Sequence, residues 1–226
     1  MNKDLKKLLK KVEVIIFDLE GTLVEMKADW DQMREDIRNY FNTQYDIDMY
    51  FKPVLEKIDE VLNLLADKYS QSELDQIKDG ALQIIRDTHK KAAKNSVLFD
   101  GILDLLEKLK KDKFKMAAFT QSGREATRII LNKNSIQKYF DFVITREDVD
   151  KPKPFPDGII KIINHFKLNK NKFIICGDHP FDISAGKKAN IYTIGVLTGV
   201  GNKNDLSNMN PDYILNSVME IKKYIT

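Results

Sequence analysis

The stretch Val12-Glu-Val-Ile-Ile-Phe-Asp-Leu-Glu-Gly-Thr22 decides the fold. Its first half is β-branched and apolar with almost no polar alternation, which suits a short parallel strand covered on both faces. Its second half places two carboxylates, a glycine and a hydroxyl immediately after that strand. In an open parallel sheet, ligands bind just beyond the carboxyl ends of the strands. Asp18, Glu20 and Thr22 are therefore the first functional candidates.

The next seventy residues contain no comparable strand. Trp30, Met33, Ile37 and Tyr40 recur at helical spacing. Val54, Leu55, Ile58, Val61, Leu62 and Leu65 form a second stripe, and Leu74, Ile77, Ala81, Ile84 and Ile85 a third. Three successive amphipathic helices must bury those faces, which predicts a small helical bundle with Trp30 and its neighbouring tyrosines in the core. The charge distribution agrees with an insertion. Residues 24–96 hold 11 basic and 15 acidic side chains, a net of −4, and the rest of the chain 26 basic and 19 acidic, a net of +7.

From Asp100 the pattern alternates between helix and strand. Helices are expected at 102–109, after Thr120, at 159–166 and at 183–189, and strands at 114–119, 142–144, 173–176 and 191–196. An edge strand is expected at 212–215, before a last helix. Ser122-Gly-Arg-Glu125 has the form of a capping box opening the helix after Thr120, and Pro156 stands near the start of another. Strands separated by helices of this length imply right-handed crossovers and a parallel sheet with helices on both faces. The fold class is α/β, a doubly wound parallel sheet of residues 1–23 and 97–226 interrupted by a helical bundle at 24–96.

Composition limits the alternatives. Of the 226 residues 42% are apolar and 31% charged, enough for a full core beneath an ionised surface. No apolar run approaches the roughly 18 residues of a membrane helix. Residues 1–11 are lysine-rich and lack the apolar segment and cleavage site of a secretory signal. A single cysteine, Cys176, permits no intrachain disulfide and points to a reducing, cytoplasmic setting. A net charge of +3 is too balanced for a nucleic-acid binder. No nucleic-acid or membrane partner is expected.

Four strand ends carry chemistry. Asp18, Glu20 and Thr22 follow the first strand, and Thr120, Gln121 and Ser122 follow the second core strand. Lys151 and Lys153 lie in Lys-Pro-Lys-Pro-Phe-Pro, and Asp178 and Asp182 in Gly-Asp-His-Pro-Phe-Asp. Asp18, Asp178 and Asp182 are hard oxygen donors whose mutual repulsion calls for a cation, and Mg²⁺ suits such a set. A metal there would neutralise a phosphate and align it for in-line attack. One carboxylate could act as nucleophile, giving an aspartyl-phosphate that water then hydrolyses. The hydroxyl and helix amino terminus at Thr120–Ser122 suit phosphoryl oxygens.

This ordered set resembles the haloacid-dehalogenase superfamily, specifically its phosphoglycolate-phosphatase-like members, over nearly the whole chain. The resemblance implies a Rossmann-like core, an inserted helical cap, Mg²⁺ and a small phosphorylated metabolite as substrate. It implies Asp18 as nucleophile, Thr120 as phosphate-binding hydroxyl, Lys153 as phosphate-neutralising lysine and Asp178 as metal ligand. Asp182 would support the metal directly or through water, and the Glu20 backbone carbonyl would be a further ligand. Substrate contacts would fall to Thr22, Thr120, Gln121, Ser122, Arg124 and Lys153. The departure is Glu20, where most phosphatases of the superfamily carry a second aspartate as general acid–base; glutamate has the same chemistry on a longer stem.

The lysine motif reads from either Lys151 or Lys153. Asp157-Gly158 follows the second reading and favours Lys153. His179 reads as a solvated loop residue, His89 and His165 as structural or exposed, and Cys176 as packing. The expected activity is hydrolysis of small phosphomonoesters beneath the cap, as a hydrolase acting on phosphoric monoesters. A phosphomutase of the β-phosphoglucomutase type and a non-catalytic binding module on the same fold remain open alternatives.

Overall fold

The computed structural model describes residues 3–225. By contact density the described residues divide into two compact units. One runs up to Met26 and resumes at Ser96, and the other is Lys27–Asn95.

The first unit opens with α1 (Lys3–Leu9) and β1 (Val14–Phe17), whose four residues are all buried. A tight turn follows, in which Thr22, Leu23 and Val24 all donate to the Leu19 carbonyl. It leads into β2 (Val24–Glu25), which pairs antiparallel with β3 (Val97–Leu98) to form a two-stranded ribbon that sequence periodicity did not announce. The second unit lies between the strands of that ribbon in sequence and contains α2 (Trp30–Tyr45), α3 (Val54–Leu65) and α4 (Gln71–Ala93). Each matches one of the three apolar stripes. Asp29 caps α2 by accepting from the Gln32 N–H at 2.9 Å. Ser70 and Glu73 form a reciprocal capping box on α4. The helical core includes Met33, Ile37, Phe41, Phe51, Ile58, Val61 and Ile77, with Trp30 and Tyr40 packed against it.

Beyond β3 the chain alternates through α5 (Ile102–Lys111), β4 (Lys115–Phe119), α6 (Arg124–Lys133), β5 (Phe142–Ile144), α7 (Asp157–Phe166) and β6 (Phe173–Gly177). It continues through α8 (Pro180–Ala189), β7 (Tyr192–Val196), α9 (Lys203–Asn208) and β8 (Tyr213–Leu215). The sheet order is β5-β4-β1-β6-β7-β8, and every pairing in it is parallel. β1 therefore sits in the interior between β4 and β6. One face carries Val14, Ile16, Ala117, Phe119 and Ile175 against Ile159 and Ile162 of α7 and Ala185 and Ala189 of α8.

Three local expectations are corrected. The N-cap of α6 is not Ser122. Its N-cap is Gly123 without a side-chain bond, and the Glu147 carboxylate from the loop after β5 accepts from Arg124 N–H at 3.1 Å. A distant acid thus takes the job that local spacing assigned to a neighbour. α8 begins at Pro180 rather than 183, because proline at N1 has a preset φ and lacks only an N–H the helix could not use. After β8 the chain forms a 3₁₀ segment, Val218–Lys223, instead of an α-helix. Among the described residues, no helix is long and apolar enough to cross a membrane.

Candidate active site

The site is assembled at the carboxyl ends of the central strands, within the first unit. Asp18 directly follows β1, and its N–H continues the ladder to the Cys176 carbonyl at 2.9 Å. Thr120 directly follows β4 and is anchored the same way to the Ile144 carbonyl at 3.0 Å. Asp178 follows β6, and Asp182 lies in the first turn of α8. Lys153 comes from the loop between β5 and α7.

Oxygens of Asp18, Asp178 and Asp182 all lie within 4.8 Å of one another, and the three side chains are buried. The Lys153 ammonium donates to Asp18 Oδ1 at 2.6 Å and Asp182 Oδ1 at 2.7 Å, with its own side chain 2% exposed. Its Nζ also lies 5.0 Å from the Phe119 ring centroid, over an apolar floor. Three carboxylates thus face one ammonium, a formal excess of two negative charges out of water.

The titrations reflect that imbalance. Burial raises Asp18 well above the usual carboxylate range, against the lowering pull of Lys153. Burial, with Asp182 adding, pushes Asp178 up to about 6. Burial pulls Lys153 down, but the Asp18 and Asp182 carboxylates outweigh it, so the ammonium is held above its ordinary range. A buried cluster of hard oxygen donors with two negative charges in excess fits a divalent cation such as Mg²⁺.

Asp178 is held by a loop that sequence reasoning missed. Val200 N–H donates to Asp178 Oδ2 at 2.8 Å, and Thr22 Oγ1 approaches Asp178 Oδ1 at 3.4 Å. Thr198 Oγ1, from the same loop, donates to the Gly21 carbonyl at 2.6 Å. Gly21 has φ +77°, and a Cβ there would fall 2.6 Å from the Asp178 carboxyl carbon. The signal was Thr198-Gly-Val-Gly201 at the end of β7, a fifth strand end with small residues where backbone must approach closely.

Asp182 Oδ2 accepts from His179 N–H at 3.1 Å, and His179 Nδ1 accepts from Phe181 N–H at 3.1 Å. His179 is therefore the N-cap of α8 and not a solvated loop side chain, and burial lowers its pKa. His89 meets Trp30 edge-on, and His165 stacks on Phe142 at 4.0 Å, both structural contacts. Cys176 is buried in β6, and burial pushes its thiol up, away from nucleophilic use.

The remaining expected residues separate. Thr120 Oγ1 donates to Glu20 Oε2 at 2.7 Å, so its proton is directed at the glutamate. Glu20 Oε1 is buried without a partner. Ser122 N–H donates to Thr120 Oγ1 at 3.0 Å, and Gln121 Nε2 to the Lys153 carbonyl at 3.2 Å, so both brace the site. Arg124 is not brought to the cluster; its side chain is 68% exposed and pairs with Asp148 at 2.7 Å. Lys151 is exposed, with Nζ 5.6 Å from the Phe155 ring centroid.

Residues 15–196 match the family described as haloacid dehalogenase-like hydrolase, and the chain belongs to that family. It is similar to the pyrophosphatase PpaX of Bacillus velezensis, 26% identical over 216 residues covering 94% of this chain and 95% of the relative. PpaX of Halalkalibacterium halodurans is 24% identical over 211 residues, covering 93% and 95%. The crystal structure of a predicted phosphoglycolate phosphatase from Haemophilus somnus superposes with a TM-score of 0.70 at 19% identity, covering 96% of this chain and 99% of that one. At that identity the likeness is one of fold.

Proposed function

We propose that this haloacid dehalogenase-like hydrolase is a Mg²⁺-dependent phosphatase of small phosphorylated molecules, using Asp18 as its nucleophile. The observation that carries the reading is the buried cluster of Asp18, Asp178 and Asp182 around the single ammonium of Lys153. Such a cluster has no packing rationale, because unpaired buried charge costs several kcal/mol per ion. It suits the transfer of a dianionic phosphoryl group beside a cation.

In this reading Asp18, Asp178, Asp182 and the Glu20 carbonyl would hold Mg²⁺, which supplies charge neutralisation at the phosphoryl oxygens. Lys153 contributes the remaining positive charge at the phosphate. One Asp18 carboxylate oxygen attacks phosphorus while the bond to the leaving oxygen breaks, and Glu20 delivers a proton to that oxygen through Oε1. The resulting acyl phosphate on Asp18 is then hydrolysed, Glu20 taking a proton from the attacking water. Phosphate leaves and the Asp18 carboxylate is restored. The inserted helices, residues 24–96 in the sequence reading, serve as the cap that selects among small substrates.

The names of the relatives widen the candidate substrates beyond phosphomonoesters to inorganic pyrophosphate. With pyrophosphate the leaving group is itself a phosphate and needs less protonation than an alkoxide. The test is phosphate release from a panel containing pyrophosphate, phosphoglycolate and sugar phosphates, with Mg²⁺ and with chelator. Release that stops on chelation, returns with Mg²⁺ and vanishes in a folded Asp18→Asn protein supports the reading. Undiminished release by Asp18→Asn would falsify it.

A further inference from the structure

The ammonium of Lys153 donates to Asp18 and Asp182, and Asp178 is fixed instead by uncharged groups from two loops. Val200 N–H donates to Asp178 Oδ2 at 2.8 Å, and Thr22 Oγ1 approaches Oδ1 at 3.4 Å. Those two loops are themselves joined, because the Thr198 hydroxyl donates to the Gly21 carbonyl at 2.6 Å. A carbonyl oxygen can only accept, so the direction of that bond is set. The turn after β1, the residue after β6 and the loop after β7 are thereby closed into a ring around one carboxylate. The ring is tight. A Cβ on Gly199 would fall 2.0 Å from Asp178 Oδ2, and one on Gly201 2.0 Å from the Asp178 carbonyl oxygen. The Val200 side chain is 78% exposed, so this residue serves the cluster through its backbone.

We infer that Thr198 is a positioning residue for Asp178, holding the loop that aims this carboxylate through its bond to Gly21. Asp178 shares a buried cluster with two other carboxylates, and their repulsion pushes it off any single orientation. Fixed donors oppose that push. Because Val200 N–H and the Thr22 hydroxyl are neutral, they orient Asp178 without cancelling its charge, which is left for a divalent cation. Removing the Thr198 hydroxyl unties the loop from the turn. The Val200 N–H then no longer meets Asp178 at one distance and angle, and the hydrogen bond weakens. The same hydroxyl acts on the other side of the ring. Gly21 directly follows Glu20, whose carbonyl is a further proposed ligand, so Thr198 steadies two of the four groups proposed to hold the cation. Groups that orient metal ligands in this way change metal affinity by about 10–100-fold when they are removed.

This inference rests on the metal site of the proposed phosphatase, and its test separates that site from the reaction. The main readout is binding of Mg²⁺ alone to the substrate-free protein by isothermal titration calorimetry, which needs no turnover. Thr198→Val, which keeps the shape and removes the hydroxyl, should raise the Mg²⁺ Kd by about tenfold or more. Thr198→Ser, which keeps the hydroxyl, should bind Mg²⁺ as the wild type does. Thr198→Ala, which only removes atoms, replaces the valine variant if that protein does not fold. In phosphate release by Thr198→Val, the Mg²⁺ concentration giving half the maximal rate should rise in step with the Kd. At saturating Mg²⁺ its kcat should stay within about threefold of wild type, since the reacting groups are unchanged. A residue that only stabilised the fold would lower Tm and leave the Kd where it was. An unchanged Kd in the folded valine variant, or equal losses in the valine and serine variants, would therefore overturn the inference. Wild-type protein that binds Mg²⁺ and releases no phosphate would overturn the proposed reaction, and the Kd values would still decide the role of Thr198. Wild-type protein that binds no Mg²⁺ would overturn both.

Discussion

Lys153 Nζ donates to Asp18 Oδ1 at 2.6 Å, joining residues 135 positions apart in the sequence. Lysine is a flexible point charge, and almost its whole length is buried here to reach two carboxylates. The position of the proposed nucleophile and the charge beside it are thus one structural fact.

Removing that ammonium leaves three buried carboxylates without a counter-charge. Lys153→Ala should cost about 3–5 kcal/mol of stability and abolish phosphate release. Lys151→Ala, at an exposed site, should change stability by less than about 0.5 kcal/mol and leave most of the activity. Urea unfolding and phosphate release on the two variants side by side decide the matter. A larger loss at Lys151 reverses the assignment.

The titration of Asp178 predicts a pH-dependent response to metal. Its folded pKa, about 6, lies above the ordinary carboxylate value because burial disfavours the charge. Between the two values the folded state therefore binds more protons than the unfolded state. Without metal, stability from this group is full at low pH and is lost as pH rises through about 6. Mg²⁺ binds the carboxylate form and offsets that loss, releasing the proton. Added Mg²⁺ should raise Tm more at pH 8 than at pH 5. Equal shifts at both pH values would remove Asp178 from the metal site.

Gly158, in the first turn of α7, faces the ring of the fully buried Phe119, which also forms the floor under Lys153. Any Cβ at 158 would overlap that ring. Gly158→Ala should destabilise the protein by about 1–3 kcal/mol, despite the better helix propensity of alanine. Because the displaced ring carries Lys153, activity should fall as well. Unchanged Tm and activity would show that the ring moves freely and that the floor is not rigid.

In the helical unit, Phe41 and Phe51 stack at 5.2 Å with an 11° interplanar angle, and both are fully buried. Phe51→Ala should cost about 3–5 kcal/mol. If residues 27–95 fold as a unit of their own, limited proteolysis of this variant will cut there first and leave the α/β unit intact. Simultaneous cleavage of both units would mean that they unfold together.

Much of this molecule could be read from the chain alone, because the information is local. The apolar run at 12–17, the three helical stripes and most of the strand–helix alternation after Asp100 are short-range periodicities, and each of these falls on an observed strand or helix. The carboxylates also declared themselves, since a parallel sheet puts the residues following its strands on one edge. What local pattern could not supply was pairing. Ser122 and Glu125 had the right spacing for a cap, yet Glu147 accepts the Arg124 N–H. Arg124 stood near the site in sequence, yet its guanidinium pairs with Asp148. The support of Asp178 by Val200 and the direction of the Thr120 hydroxyl toward Glu20 arise between segments 22 and 100 residues apart. A hydrogen bond is selected by distance and angle in space. Periodicity determines which face of an element is buried, and only the packed sheet decides which donor finds which acceptor.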